Sequence, residues 1–169
     1  ITNSVEELNS TVNQAALIGG KLTVNGGSLM SVKVYGGEAS ITGGTVSQFT
    51  AENGETHISG GLTKELCIKG GKTYVTGGSV TDFKMNDGGE IYISDGNFNR
   101  VSVDISNSDD ENPKLEITGG TFENAGFAAK TKGRITISGG EFKSITVAAT
   151  AESSLRTVGD LLGDGYMYH

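Results

Sequence analysis

The chain is 169 residues long and carries thirteen Lys and Arg against twenty Asp and Glu, a formal net charge of −7. That balance, with no basic cluster, excludes a phosphate-reading nucleic-acid binder and disfavours an anionic membrane surface. No apolar run approaches the roughly 20 residues that cross a bilayer, so no membrane insertion is expected.

Composition narrows the class further. One cysteine, Cys67, rules out an internal disulfide and a cysteine-built zinc site. Twenty-seven glycines against one proline suit tight turns and short strands. The opening residues lack the pattern of a secretory leader, which leaves a cytosolic protein or the excised part of an exported one.

In chain order, the first signal is helical. Ser4 stands three residues ahead of Glu7, a capping box. Val5, Leu8, Val12 and Ala15 or Ala16 then share one helical stripe. The spacing predicts a helix over 5–16, within an N-terminal capping segment 1–18, that plugs the first coil.

From residue 19 a double-glycine beat takes over. Coils begin at Gly19, Gly36, Asn53 and Gly70, a step of 17 residues, and after small insertions at Gly88, Asn112 and Lys132. Each start is followed seven residues later by a second turn pair, from Gly26-Gly27 to Gly139-Gly140, with Asp95-Gly96 in the fifth coil. A repeat this short is one turn of a solenoid and cannot fold alone.

Aligning the coils on their turns gives five inward columns. Leu22, Ala39, Thr56, Thr73, Ile91, Leu115 and Ile135 form the first, and Val24, Ile41, Ile58, Val75, Ile93, Ile117 and Ile137 the second. The third runs from Leu29 through Phe98 and Phe122 to Phe142, the fourth from Val32 to Ile145 and the fifth from Val34 to Val147. The period-two alternation marks strands with one buried face, and its break between the third and fourth columns marks a corner. Three faces per coil follow, over 19–150. Asn53 and Asp95 replace Gly at corners as residues that tolerate a left-handed backbone. A polar column at the second corner (Thr42, Ser59, Thr118 and their counterparts) offers hydroxyls to the neighbouring coil's backbone. It lacks the long flat TxT rows of an ice-binding array.

The C-terminal segment 151–169 repeats the capping signature in Thr157 and Asp160, ahead of Val158, Leu161 and Leu162, with Gly163 as the stop. A short helix covering the last coil is expected. The fold class is therefore all-β, a parallel β-helix of about seven coils with helical caps at both ends. Corners at alternating intervals of seven and ten argue against the left-handed hexapeptide form, and right-handed crossovers are the general preference.

The phrases Ile117-Thr118-Gly119-Gly120-Thr121-Phe122 and Ile137-Ser138-Gly139-Gly140-Glu141-Phe142 resemble Gly-Gly-rich right-handed β-helix modules of large surface proteins of Gram-positive bacteria. The opening Ser4-Val5-Glu6-Glu7-Leu8 and the closing Asp160-Leu161-Leu162-Gly163-Asp164-Gly165-Tyr166 resemble the ends of such modules. The resemblance implies an extracellular, cell-surface setting within a larger surface protein. It also implies a non-enzymatic role as an adhesive, stalk-like or glycan-binding module. The wider β-helix superfamily includes polysaccharide lyases and glycoside hydrolases, which supplies the alternative, because fold does not choose the activity.

Candidate sites follow from the outward columns. A Ser-His-Asp triad needs an oriented histidine; His57 points outward from mid-strand and His169 is the last residue, so no catalytic residue is assigned. Cys67 sits outward between Leu66 and Ile68 with no His in register, a neutral thiol. The column Lys21, Glu38, Glu55, Lys72, Glu90, Lys114, Arg134 reads as a salt-bridge ladder, with Glu38 and Glu55 its one acidic neighbour pair. Beside it stand His57, Tyr74 and Tyr92 on successive coils. Either they form an aromatic ladder shielding the sheet, or, flanked by Lys72 and Glu90, they contact a glycan or a host surface protein. The fifth coil is extended by Asp104-Ile105-Ser106-Asn107-Ser108-Asp109-Asp110-Glu111, and the sixth by a smaller stretch from Gly126 to Thr131. Asp104, Asp109, Asp110 and Glu111 have the oxygen chemistry of a Ca2+ site, though in no known loop spacing. No other cofactor is expected.

Overall fold

The computed structural model describes residues 5–8, 12–86, 88–106, 113–131, 134–149 and 153–163. It is a parallel β-solenoid of about seven turns with about 17 residues per coil. β1 (Val5–Leu8) and β2 (Val12–Leu17) come first, then β3 (Lys21–Val24) with β4 (Ser28–Val34), β5 (Glu38–Ile41) with β6 (Thr45–Ala51), and β7 (Glu55–Ile58) with β8 (Leu62–Ile68). In the next two coils the strand runs on through the second corner, as β9 (Lys72–Asn86) and β10 (Glu90–Ile105). β11 (Lys114–Ile117) with β12 (Thr121–Ala129), then β13 (Ile135–Ile137), β14 (Glu141–Phe142) and β15 (Ile145–Val147) complete the stack.

Among the described residues the strands of adjacent coils pair in parallel at equivalent positions, as in Lys21↔Glu38↔Glu55↔Lys72↔Glu90↔Lys114, apart from an irregularity at Asp95↔Thr76. The inward columns are buried as expected, with Leu22, Ile41, Val75 and Ile117 at 1 % exposure or less, except in the last coil, where Phe142, Ile145 and Val147 are partly buried. The corner inside β4 shows as two successive outward residues, Met30 and Ser31, between buried Leu29 and Val32. The aromatic part of the core is itself stacked. Phe98, Phe122 and Phe142 lie in one column with ring centroids 4.9 and 4.4 Å apart and planes within 10°.

The predicted helix over 5–16 is absent. Of that span, 5–8 and 12–16 lie in strands β1 and β2, which pair with β3 and β4 and add a rung to the stack, and 9–11 lie outside the described residues. Val12, Ala15 and Leu17 stand 17 residues before Leu29, Val32 and Val34 and pair with them. A rung satisfies the open N–H and C=O groups of β3 and β4, which a helix laid across the end does not. At the other end the predicted helix is one 3-10 turn, Val158–Leu161. The Asp160 carboxylate still accepts the Thr157 N–H at 2.9 Å. Leu155 and Leu161 are buried against the last coils, and Gly163 N–H donates to Ile137 O at 2.9 Å. Four residues are too few to offset the nucleation cost of an α-helix, so the cover is held by burial instead.

The corners work differently from the sequence reading in one respect. The second glycine of the pair takes the positive φ, +83° at Gly54 and +120° at Gly96. Asn53 and Asp95 occupy the first position, and their side-chain oxygens accept the N–H of the following glycine at 2.8 and 2.7 Å. They are tolerated as hydrogen-bond acceptors, not as left-handed residues. The polar corner column behaves as expected at Thr42 and Thr118, whose hydroxyls donate to Val24 O and Ile93 O.

Among the described residues, three buried hydroxyls, those of Thr56, Thr63 and Thr73, have no hydrogen-bond partner. All three residues are 1 % exposed or less. An unpartnered buried hydroxyl costs roughly 1–3 kcal/mol, and valine has nearly the same shape. Thr56→Val with Thr73→Val is therefore expected to raise stability by about 2 kcal/mol, read from the urea midpoint at constant slope. A loss of stability would mean that the hydroxyls are paired in solution.

Candidate functional site

The outward side of β7, β9 and β10 brings together the residues singled out from the sequence. His57, Tyr74 and Tyr92 occupy one register position on three successive coils. Their ring centroids are 5.1 and 5.3 Å apart, and each pair of planes is inclined by 13°. This is parallel stacking set by the spacing of the rungs. Lys114 Nζ lies 5.5 Å from the Tyr92 ring centroid and covers the far end of the stack.

Charged groups hold the ladder's flanks. His57 Nε2 and Glu55 Oε1 are 2.7 Å apart. The Tyr92 hydroxyl donates to Glu90 Oε2 at 3.0 Å, and Lys72 Nζ approaches the same oxygen at 3.3 Å. The Tyr92 hydroxyl and Lys72 together hold the Glu90 carboxyl below the usual carboxylate range. The same hydrogen bond, with desolvation, pushes the Tyr92 phenol up. Lys114 turns to Glu116 on its own strand, at 3.1 Å, and not to Glu90. The ladder thus includes Glu55, Lys114 and Glu116, which the sequence reading left out of the site. Their neighbouring positions in the coil alignment were the available signal.

The rings turn their faces largely to one another, so the ladder offers solvent its edges, the Tyr74 hydroxyl and the paired charges. A depression of about 650 Å3 runs beside it, floored by Gly37, Gly54 and Gly71 and walled by Glu55, Lys72 and Glu90. Lys72 and Glu90 therefore belong to both features. Glu38 and Glu55 are neighbours in register, but Glu38 pairs with Lys21 at 2.5 Å and Glu55 with His57, so each carboxylate has its own partner.

The second expected site is mostly out of view. Asp104 lies in β10, exposed, and its Oδ1 accepts the Ser106 N–H at 3.1 Å. Asp109, Asp110 and Glu111 lie outside the described residues. Among the described residues no three His, Cys, Asp or Glu side chains are gathered as for a metal. The extension expected from Gly126 begins as strand: β12 continues to Ala129, with Asp104↔Ala128 and Ile105↔Ala129 in register. Cys67 is half-buried, and desolvation pushes its thiol up, so it stays protonated near neutral pH.

Elsewhere, ion pairs also bridge adjacent coils: Glu52–Lys69 at 2.9 Å, Glu65–Lys84 at 2.8 Å and Glu123–Lys143 at 2.7 Å. Glu38, Glu65 and Glu90 titrate below the ordinary glutamate range through their hydrogen-bonded partners. Lys69, Lys72, Lys84, Lys114 and Lys143 titrate above the ordinary lysine range for the same reason. The carboxylates' share of stability is complete above their unfolded values and is lost as pH falls through the lowered native ones. The lysines' share is complete below their unfolded values and is lost as pH rises through the raised native ones. A melting temperature flat between about pH 6 and 9, falling on both sides, is expected. The slopes should be shallow because the pairs are exposed, and shallower still in high salt. A melting temperature that rises below about pH 4 would contradict this.

No family model, curated protein or solved structure matches this chain.

Proposed function

We propose that the chain is a non-enzymatic module of a bacterial surface protein, displayed outside the cell, that acts as a stiff spacer with an adhesive side. The observation that carries this reading is the His57–Tyr74–Tyr92 ladder, set mid-stack on continuous parallel strands. A side chain held at every rung loses little entropy on contact, so such a face is pre-organised for a repeating partner. The likeness of the IxGGxF phrases to Gram-positive surface modules supports the setting. The partner is a glycan or a host surface protein meeting the ring edges, the Tyr74 hydroxyl and the Lys72–Glu90 pair.

The test is an immobilised screen of glycans and host-matrix proteins, run with Ca2+ and again with EDTA. Binding that survives EDTA and disappears in Tyr74→Ala with Tyr92→Ala supports the ladder. Binding lost in EDTA moves the contact to the acidic segment Asp104–Glu111. Release of reducing or unsaturated sugar from any polysaccharide in the panel would replace this reading with that of a lyase or hydrolase.

A further inference from the structure

We propose that Asn53 is a site of spontaneous covalent modification. The corner poises its side chain to close on the Gly54 nitrogen, lose ammonia and become a carboxylate. The chain holds two Asn-Gly pairs, Asn25-Gly26 and Asn53-Gly54, and the fold treats them differently. The reaction needs no partner and stands whether or not the aromatic ladder binds one.

Asn53 is exposed, at the first glycine position of its corner. Its Oδ1 accepts the Gly54 N–H at 2.8 Å, which sets the side-chain amide carbon beside the nitrogen that must attack it. Rung bonds pin the main chain on both sides. The Glu52 and Asn53 N–H groups donate to Val34 O at 2.8 and 3.3 Å, and the Glu55 N–H donates to Gly37 O at 2.9 Å. Among the described residues the Gly54 N–H has no backbone acceptor, so its nitrogen reacts without breaking the ladder. Gly54 is itself obligatory, because its φ is +83° and a Cβ there would stand 2.5 Å from Gly37 O. The corner thus enforces, after Asn53, the residue with no side chain to shield its nitrogen.

Asn25 is also exposed, but it precedes both glycines of its corner, where the next coils carry Thr42 and Ser59. The 2.8 Å contact of Asn53 has no counterpart at Asn25 among the described residues. In the next coil the nitrogen that follows this position belongs to Gly43, and its N–H is given to Val24 O at 3.2 Å.

The steps balance with water alone. Hydroxide takes the Gly54 amide proton, and the nitrogen bonds to Asn53 Cγ. The Cγ–Nδ2 bond breaks, and Nδ2 leaves as ammonia after taking a proton from water. Water then opens the cyclic imide at one of its two carbonyl carbons, and nothing is oxidised or reduced. Opening at Cγ gives aspartate on the original backbone. Opening at the main-chain carbonyl gives isoaspartate, whose backbone runs through Cγ and is longer by one atom.

Asp95 shows that a corner accepts the first product. It fills the matching position of a second corner, and its Oδ1 accepts the Gly96 N–H at 2.7 Å. At residue 53 the new carboxylate stands on the wall of the glycine-floored corner depression, beside Glu55, Lys72 and Glu90. Lys72 already faces Glu90 at 3.3 Å, so the depression gains negative charge. The chain becomes one unit more negative than its formal −7.

The experiment holds the intact protein warm at mildly alkaline pH, folded and in parallel in urea. Peptide mapping by mass spectrometry follows Asn, Asp and isoaspartate at both pairs. In the folded protein Asn53 should convert about threefold or more faster than Asn25. In urea, where only the shared dipeptide remains, the two rates should converge. Asn53→Gly, which copies Gly36 and Gly70, should remove the main acidic species seen on isoelectric focusing. Asn25 converting as fast as Asn53 in the folded protein overturns the site. The same ratio in urea as in the folded protein overturns the role of the corner. Conversion of both pairs in urea and of neither when folded means that the corner protects Asn53, and overturns the proposal outright.

Discussion

Gly71→Ala is expected to cost about 3–5 kcal/mol, a large share of the stability of a domain this size. Gly71 has φ +74°, and a Cβ there would stand 2.4 Å from Gly54 O and 2.8 Å from Asn53 C in the coil below. The left-handed backbone alone costs alanine roughly 1–2 kcal/mol. The overlap is with backbone, so no rotamer relieves it. Gly54 O is also the acceptor of the Lys72 N–H at 2.9 Å, so pushing the coils apart breaks a rung bond. Gly126→Ala is the control. No positive φ applies there, and the nearest atom is Thr146 Oγ1 at 3.4 Å. It should be neutral or stabilising by about 0.5 kcal/mol. Urea unfolding of both variants decides the matter, and Gly71→Ala within about 1 kcal/mol of Gly126→Ala would refute the close-approach argument.

Phe122→Ala should be the other large loss, about 4 kcal/mol. Phe122 is fully buried, stacked between Phe98 at 4.9 Å and Phe142 at 4.4 Å. Truncation leaves a cavity that two flanking rings and continuous strands cannot close. Phe122→Leu keeps most of the volume and should cost about 1.5 kcal/mol. Because each coil contacts only its neighbours, the damage should be local. Hydrogen exchange is expected to accelerate first in β12, β14 and β15. A uniform acceleration over the whole stack, or a loss under about 1.5 kcal/mol for the alanine variant, would contradict this account.

What the sequence made legible is what repeats. Columns such as Val24–Ile41–Ile58–Val75 align at one spacing, and burial confirms each member. The ring stack was legible for the same reason, since His57, Tyr74 and Tyr92 share a coil position. The N-terminal rung was not, although Val12, Ala15 and Leu17 already stood at 17 residues from their partners. Two things hid it. Asn9-Ser10 stands where later coils have a glycine pair, and the corner's three-residue step mimics the spacing of a helical stripe. The corner depression was illegible because it depends on the angle between two faces, which no column of residues records.

The equal step of the early coils has a consequence for how such a chain can change length. Residues 19 to 70 advance by 17 with each turn, and every buried side chain sits over its counterpart. Losing or gaining one residue within a strand there would turn the rest of that strand inside out, whereas losing or gaining seventeen would leave every pairing intact. The molecule's length is thus quantised, in increments of one rung, about 4.8 Å. Duplication of a whole coil is the mutation its architecture accepts most readily, and any surface carried on the coils downstream would be carried outward by that same increment, still facing the same way.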